Sequence, residues 1–166
     1  MNKINPQKLE QNIIDLIGNK WFLLCAEKNG VANAMTCSWG GMGFIWRDNA
    51  VFVFVRDSRY TKEFIDVADT FSLSFFDDKY KDKLTYFGRT SGRDEDKILN
   101  SGFTLNHIDS TPIFDEAMIT ITCKKALATR LDSDAFIDKD ILDANYSDGN
   151  MHTMYVGKII GMYRNY

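Results

Sequence analysis

Five consecutive residues, Val51-Phe52-Val53-Phe54-Val55, are all β-branched or aromatic, and this run constrains the fold more than any other part of the sequence. Such residues favour β-strands, and the run is much shorter than a membrane span. Because every position is apolar, neither side of the strand suits contact with water. We therefore expect a strand that is covered on both faces.

The other predicted strands are short and are joined by turns. They cover residues 21–26, 35–39, 44–46, 70–75, 117–127 and 151–163. The Asn29-Gly30 pair predicts a hairpin after the first of them, and Gly40-Gly41-Met42-Gly43 predicts a further turn. Polar and apolar residues alternate over 70–75, the pattern of a half-buried strand.

The predicted helices are few. They cover residues 7–17, 59–68, 79–88 and 94–100, the second with Ser58 as its N-cap and the last two mostly exposed. Short strands with few helices, and without strict strand–helix alternation, predict a mainly β barrel or sandwich with peripheral helices. The same pattern argues against a doubly wound parallel sheet.

The length of 166 residues fits a single domain spanning 1–166. The formal net charge of −3 does not indicate a nucleic-acid binder. No apolar run is long enough for a membrane span, and the first residues lack the apolar core of a signal peptide, so we expect a cytoplasmic protein. Three widely spaced cysteines and two histidines argue against a metal site or a disulfide framework.

Arginines are concentrated in the middle of the chain, and two of them flank a predicted strand-to-helix junction, Val55-Arg56-Asp57-Ser58-Arg59-Tyr60-Thr61. Free backbone N–H groups and the dipole at a helix start favour an anion, and arginine adds charge-assisted hydrogen bonds. Any one of these residues alone is explained as well by surface charge or ordinary capping. Taken together, the segment predicts a phosphate site.

A second polar segment, residues 33–41, carries Met35, Cys37 and Trp39 on one side of a strand and Thr36 and Ser38 on the other. Hydroxyl and backbone N–H groups on such a strand could hydrogen-bond the edge of a heterocyclic ring, or the segment could simply be an edge strand whose tryptophan packs into the core. Cys37 lacks a histidine or an activating motif nearby, so a catalytic thiol is not indicated.

Five motifs occur in a characteristic order along nearly the whole chain. They are Asn33-x-Met35-Thr36-x-Ser38-Trp39-Gly40-Gly41, Val55-Arg56-x-x-Arg59-Tyr60-Thr61, Phe71-Ser72-Leu73-Ser74-Phe75-Phe76, Ser91-Gly92-Arg93-Asp94-x-Asp96-Lys97 and Asp148-Gly149-x-x-His152-x-Met154-Tyr155-Val156-Gly157-x-Ile159. In these motifs the chain resembles the flavin-reductase-like FMN-binding split-barrel family, particularly its flavoredoxin-like branch.

The resemblance implies a Greek-key split β-barrel that forms a homodimer, with one FMN per subunit bound at the interface. The implied phosphate contacts are Arg56, Arg59, Tyr60 and Thr61, with Ser91, Gly92, Arg93 and Lys97 closing around the cofactor. The implied contacts of the isoalloxazine ring and its polar edge are Asn33, Met35, Thr36, Ser38 and Trp39.

In related reductases, a Gly-Asp-His pattern places a histidine near the nicotinamide side of the flavin. Here Asn150 and Met151 separate His152 from Asp148-Gly149, so His152 is either that histidine or a structural residue at a strand start. His107 is expected only in a loop.

Two functions remain open. The first is an NAD(P)H-dependent flavin or small-substrate reductase, with NAD(P)H docking transiently because no dinucleotide-binding fingerprint is present. The second is a non-enzymatic FMN electron carrier between redox proteins. A split barrel that binds haem or no cofactor would leave the Arg56–Thr61 segment unexplained.

Overall fold

The computed structural model describes residues 1–165, which form mainly antiparallel β-strands. In chain order the strands are β1 (Asn2–Lys3), β2 (Phe22–Lys28), β3 (Val31–Cys37), β4 (Gly40–Ile45), β5 (Asp48–Arg56), β6 (Thr70–Phe75), β7 (Leu105–Ile108), β8 (Thr111–Phe114), β9 (Ile119–Arg130) and β10 (His152–Arg164). The α-helices are α1 (Ile13–Asp15), α2 (Lys62–Ile65), α3 (Lys81–Arg89), α4 (Lys97–Ser101) and α5 (Lys139–Tyr146).

The main sheet has the strand order β3-β2-β6-β9-β10-β5-β4, with β1 added to β10. The long strands β9 and β10 join its two halves, and register shifts at Val156/Gly157 and Ile159/Gly161 mark irregularities that help such long strands to bend. Along the described chain, β3 pairs only with β2 and β4 only with β5, so the barrel is not closed by hydrogen bonds. The mainly β, split-barrel fold expected from the sequence is confirmed.

Strand β5 has two different faces. Val51, Val53 and Val55 are buried in the barrel interior, whereas Phe52 and Phe54 on the other face are only half-buried. The expectation that this strand is covered on both faces is therefore wrong for the isolated chain. Of the two outward phenylalanines, Phe54 lines the candidate site and the Phe52 ring lies against Gly43 of β4.

Strand β6 deviates in the opposite direction, because it is buried on both faces rather than half-buried. Phe71, Leu73 and Phe75 point into the barrel, while Ser72 and Ser74 lie on the face that β8 covers. The Ser72 hydroxyl donates to the Pro112 carbonyl, which satisfies one of these buried polar groups. The β7–β8 hairpin therefore covers the outer face of β6 through β8.

One of the two turns predicted from glycine-containing segments is present in the structure and the other is not. Asn29 and Gly30 adopt positive φ angles and connect β2 to β3 as expected. The predicted glycine turn at 40–43 is wrong, since these residues belong to β4, and the β4–β5 turn falls instead at Trp46 and Arg47, both with positive φ. Neither residue carries the glycine signal that such turns usually show.

Two predicted helices are much shorter than expected. In the 7–17 region, Pro6–Lys8 is a single 3₁₀ turn, and α1 begins only at Ile13, where the Asn12 side chain accepts from the Ile14 and Asp15 N–H groups. In the 59–68 region, the N–H of Arg59 donates to the Arg56 carbonyl in a tight turn, so that the helix begins only at Lys62. Ser58 therefore does not cap it.

Helices α3 and α4 lie close to the predicted positions, and most of residues 94–100 are exposed as expected, whereas most of residues 79–88 are covered. Leu84 and Phe87 of α3 pack in a second apolar cluster outside the barrel, and Lys97 of α4 is buried. None of the helices formed by residues 1–165 has the length and hydropathy that crossing a bilayer requires.

Candidate functional site

Two cavities meet at the open edge of the barrel and share Met35 and Arg59 in their walls. The larger, about 290 Å³, is called the slot and is lined by Met35, Thr36, Cys37, Ser38, Trp39, Phe54, Arg56, Arg59 and His152. The smaller, about 160 Å³, is called the turn pocket and is lined by Met35, Ser58, Arg59, Tyr60, Thr61, Arg89, Thr90, Ser91, Gly92 and Lys97.

Strand pairing builds the slot from distant parts of the chain. Arg56 ends β5 and His152 begins β10, and the two residues are direct antiparallel partners. Trp39 follows the end of β3 and packs on the His152 ring with 4.9 Å between ring centroids. The result is an open, partly aromatic cleft suited to a flat ligand.

The turn pocket is cationic. Arg59, Arg89 and Lys97 all line it, and within residues 1–165 none of the three has a carboxylate within ion-pair distance. In the same part of the structure, the backbone N–H groups of Tyr60 and Thr61 donate to no protein acceptor. Adjacent unbonded N–H groups beside unneutralised cations are the features of an anion site.

Lys97 is unusual among the cations of this pocket, because it is only 4% exposed. Its Nζ donates to the Phe87 carbonyl at 3.1 Å and lies 5.3 Å from the centre of the Phe87 ring. Burial, together with repulsion from Arg59, lowers the pKa of Lys97 to about 8. An anion in the pocket would offset both effects.

Asn33 lies behind the turn pocket and does not line the slot. Its side-chain amide donates to the Thr61 hydroxyl at 2.8 Å, with both residues buried. Gly92 packs against this pair so closely that a Cβ on it would lie 2.3 Å from Asn33 Oδ1 and 3.0 Å from the Tyr60 ring. The turn at 91–93 therefore requires glycine at position 92 for this approach.

Arg56, a predicted phosphate contact, and Arg93, predicted to help close around the cofactor, do not line the turn pocket. The Arg56 guanidinium donates to the carbonyls of Asn150 (2.8 Å) and Asn145 (3.0 Å), and its side chain lines the slot and not the turn pocket. Arg93 stacks over the Tyr60 ring, 4.7 Å from its centre, and pairs with Glu63 at 2.6 Å. Arg93 therefore supports the turn from outside.

Arg59 differs from these two arginines because it borders both cavities. Its guanidinium donates to the Gly88 carbonyl at 2.8 Å, which orients the side chain between β3 and helix α3. Burial lowers the pKa of Arg59, which nevertheless stays charged at any physiological pH.

His152 faces the slot as a neutral side chain. Its Nδ1 lies 2.9 Å from the hydroxyl oxygen of Tyr146, and burial together with the Arg56 charge lowers the pKa of His152 to about 4. His107 lies in β7 and not in the expected loop. Its Nε2 is 2.7 Å from Glu27 Oε2, so His107 takes part in the contact between the β7–β8 hairpin and β2.

The site lacks the residues that acid–base catalysis by carboxylates or nucleophilic catalysis by a thiol would require. Among the residues that line the two cavities there is no carboxylate, and burial raises the pKa of the Cys37 thiol to about 12. In the described chain, no group of three or more His, Cys, Asp or Glu side chains could hold a metal ion. A ligand that brings its own reactivity suits this site best.

Some lining residues were not among the predicted cofactor contacts. They are Ser58, Arg89 and Thr90 in the turn pocket, and Phe54 and Cys37 in the slot. Arg89 belongs to the arginine-rich middle of the chain, and Phe54 to the apolar run, so a signal existed for each. Neither signal indicates by itself which cavity the side chain would reach.

Comparison with known proteins finds a protein family whose model matches this chain. A family model described as "Flavin reductase like domain" matches residues 16–165. Among curated proteins, no similar sequence was found.

Solved structures with the same fold include flavoredoxin from Methanosarcina acetivorans, which is 24% identical with a TM-score of 0.68, covering 99% of this chain and 75% of that one. Flavoredoxin of Desulfovibrio vulgaris (Miyazaki F) is 20% identical with a TM-score of 0.68, covering 98% and 77%. An FMN-binding protein from Thermus thermophilus, solved with bound p-hydroxybenzaldehyde, is 18% identical with a TM-score of 0.69, covering 99% and 82%.

Proposed function

The chain belongs to the family of flavin reductase-like domains, and from that membership we propose that it is an FMN-binding oxidoreductase carrying one flavin per chain. The family expected from the five sequence motifs is thereby confirmed. The observation that carries the proposal is the junction of a flat slot with a cationic turn pocket that contains no carboxylate. A planar ring joined to a phosphate matches both halves of this site.

The phosphate would be held in the turn pocket. Arg59 and Lys97 supply charge, the Thr61 hydroxyl and the free N–H groups of the turn supply directed hydrogen bonds, and Ser91 and Gly92 form the opposite wall. Arg89 adds a further cation at the same pocket. The fit is supported by cations that have no carboxylate partner within residues 1–165, and by turn N–H groups that donate to no protein acceptor there.

The ring would lie in the slot against the end of β3, between Met35 and Trp39. The Thr36 hydroxyl already donates to the Leu84 carbonyl, so Thr36 would contribute an acceptor or a backbone contact, whereas Ser38 can donate. FMN, when bound, supplies the electron-transfer chemistry itself, and the chain's part is to bind, orient and shield it.

The proposed reaction uses NAD(P)H as a transient co-substrate at the open side of the slot. Trp39 is 44% exposed there and offers an aromatic surface beside the site. A cytoplasmic location is part of this proposal and suits the three free, buried cysteines.

A second candidate is a non-enzymatic electron carrier that exchanges electrons with protein partners. Two structures with this fold bear the name flavoredoxin, which is the observation that favours it. Reduction by NAD(P)H alone supports the enzyme, and reduction only by a ferredoxin-like donor supports the carrier.

We also propose that the working unit is a homodimer with the flavin at its interface. Trp46 is 58% exposed and Phe44 65% exposed, and both lie on the β4 side of the barrel, where a second copy could cover them. Tyr155 and Tyr163, by contrast, are buried within one chain. Sedimentation of the FMN-loaded protein tests this, and a stable monomer that retains its flavin would exclude it.

The decisive experiment is the visible spectrum of the purified protein, followed by titration with FMN and anaerobic addition of NADH or NADPH. We expect a yellow protein, or stoichiometric binding of one FMN per chain, and bleaching by one of the two nucleotides. A colourless protein whose melting temperature does not respond to FMN would contradict flavin binding, since a ligand of the native state must stabilise it.

A further inference from the structure

A hydrogen bond joins helix α5 to the slot. Tyr146, the last residue of α5, and His152, the first residue of β10, are both buried, and Tyr146 Oη lies 2.9 Å from His152 Nδ1. Their rings meet edge to face, with 5.5 Å between centroids. Trp39 packs on the His152 ring from the slot, so the imidazole is held between two aromatic side chains.

The protonation state of the pair follows from the groups around it. Arg56 lies 5.4 Å from the centre of the Tyr146 ring and is held in place by the carbonyls of Asn145 and Asn150. The burial of His152 and the positive charge of Arg56 both disfavour an imidazolium, and the negative charge of Asp57 only partly opposes them. Burial also raises the pKa of Tyr146, so at neutral pH the phenol keeps its proton and the imidazole is neutral.

The direction of the hydrogen bond then has one consistent solution. Within the described chain, His152 Nδ1 is the only protein acceptor for the Tyr146 hydroxyl. If the imidazole donated instead, the phenol proton would be left without a protein acceptor in a buried position, which is unfavourable. The phenol therefore donates, Nδ1 carries the lone pair, and Nε2 carries the ring proton.

We infer that Tyr146 is a positioning residue that fixes His152 as its Nε2–H tautomer and so makes it an uncharged hydrogen-bond donor to the slot. Because Nδ1 faces Tyr146, Nε2 is the ring nitrogen left for a ligand in the cavity that His152 lines. An acceptor atom of a planar ligand or of its reaction partner would receive this bond. That final role rests on the proposed function.

Phe136 extends the arrangement away from the slot. It packs on the Tyr146 ring with 5.3 Å between centroids, and Tyr146 is the one buried residue of α5. The segment between β9 and β10 therefore reaches the slot through the phenol that sets the histidine tautomer. Changes in this segment are expected to act on His152 through Tyr146.

The tautomer can be measured directly, because the chain has only two histidines. Long-range nitrogen–proton correlation spectra of protein labelled with nitrogen-15 in histidine distinguish a ring nitrogen that bears a proton from one that does not. The variant His107→Gln, at a residue outside both cavities, removes the other histidine and assigns the signals. Spectra are recorded at neutral pH, without FMN, on the wild-type chain and on Tyr146→Phe.

For the wild-type chain we expect Nδ1 of His152 to be unprotonated and Nε2 to be protonated. In Tyr146→Phe, which keeps the ring packing, the nitrogen-15 chemical shift of His152 Nδ1 should move towards the average of the two tautomers. A wild-type Nδ1–H tautomer, or a Nδ1 signal unaffected by Tyr146→Phe, would overturn the inference. The wild-type spectrum decides the tautomer even if the variant fails to fold.

A second readout separates the inference from the proposed function. With FMN-loaded protein and NAD(P)H, Tyr146→Phe should lower kcat by roughly 3- to 10-fold, as expected for one lost hydrogen bond. His152→Gln, which can place an amide donor near the Nε2 position, should retain more activity than His152→Leu, and equal losses would count against donation. Failure to bind FMN would overturn the proposed function and leave the tautomer result intact.

Discussion

The side-chain amide of Asn33 donates to the Thr61 hydroxyl across 2.8 Å, and both side chains are buried. Because the Thr61 oxygen accepts this bond, its own proton is free to point into the turn pocket, which Thr61 lines. Asn33 was expected at the edge of a bound ring, but the structure gives it a different position, behind the proposed phosphate site. It orients the hydroxyl and does not contact the slot.

The first prediction is that Asn33→Asp weakens FMN binding far more than riboflavin binding. A carboxylate at position 33 accepts from the Thr61 hydroxyl, so that hydroxyl no longer donates to the phosphate, and a negative charge is added nearby. The loss of one hydrogen bond to a charged group, about 1.5–3 kcal/mol, corresponds to roughly 10- to 150-fold in Kd.

Flavin fluorescence titration measures both affinities. Thr61→Val is the matched control, since it removes the same hydroxyl without adding charge, and it should show a smaller loss of the same kind. Equal weakening of FMN and riboflavin in Asn33→Asp would show that the residue supports the fold and not the phosphate.

The second prediction contrasts two arginines. Arg59→Ala should weaken FMN by at least tenfold and riboflavin much less, because Arg59 borders the turn pocket and has no carboxylate partner. Arg56→Ala should affect both flavins alike and lower the melting temperature, because its guanidinium holds the Asn145 and Asn150 carbonyls. A selective loss of FMN in Arg56→Ala would reverse this assignment.

The third prediction concerns pH. Burial and Arg59 lower the pKa of Lys97 to about 8, below its ordinary value of 10.5, and a bound phosphate should raise it again. FMN binding therefore takes up a proton above pH 8, and affinity should fall as pH rises through this range by up to about tenfold per unit.

Binding isotherms between pH 7 and 10, repeated in buffers of different ionisation enthalpy, measure the proton uptake. Lys97→Gln should bind FMN more weakly and lose the part of the pH dependence that is specific to the wild-type chain. The same linkage makes the ligand-free wild-type chain gain stability from this group as pH rises from about 8 towards 10.5, because the unfolded chain then binds more protons. An FMN affinity that does not change across this range would contradict the role of Lys97.

The fourth prediction is that Gly92→Ala lowers both stability and FMN affinity. A Cβ at this position lies 2.3 Å from Asn33 Oδ1 and 3.0 Å from Tyr60, so the 91–93 turn must move away from the pocket. Overpacking of this kind costs about 1–3 kcal/mol. Gly18→Ala, where nothing lies within 4 Å of the added carbon, is the control in thermal unfolding and should be nearly neutral.

Local signals were sufficient for much of the framework. The Asn29-Gly30 hairpin and strand β6, with the bounds 70–75, follow from turn chemistry and residue alternation within a few positions of the chain. The start of helix α2 could not be predicted in this way. The Arg59 and Lys62 N–H groups donate to carbonyls three residues back, and the tight turn that results is not revealed by the residue pattern.

The sequence by itself determined which residue types meet at the site. The polar end of β3 and the arginine-rich segment after β5 each carry a local pattern that predicts a role in ligand binding, and the family resemblance implies such a role for the turn near residue 92. The candidate His152 lines the slot, together with six of the predicted cofactor contacts, namely Met35, Thr36, Ser38, Trp39, Arg56 and Arg59.

Only the tertiary structure decided what each side chain does there. Arg56 and Arg59 are three residues apart, yet one binds carbonyls about 90 positions later in the chain, while the other remains at the turn pocket. Asn33, Lys97 and Tyr146 likewise acquire their roles from Thr61, Phe87 and His152. The physical reason is that periodicity and turn propensity act over a few residues, whereas burial and hydrogen-bond partners are set by strands that pair across the whole chain.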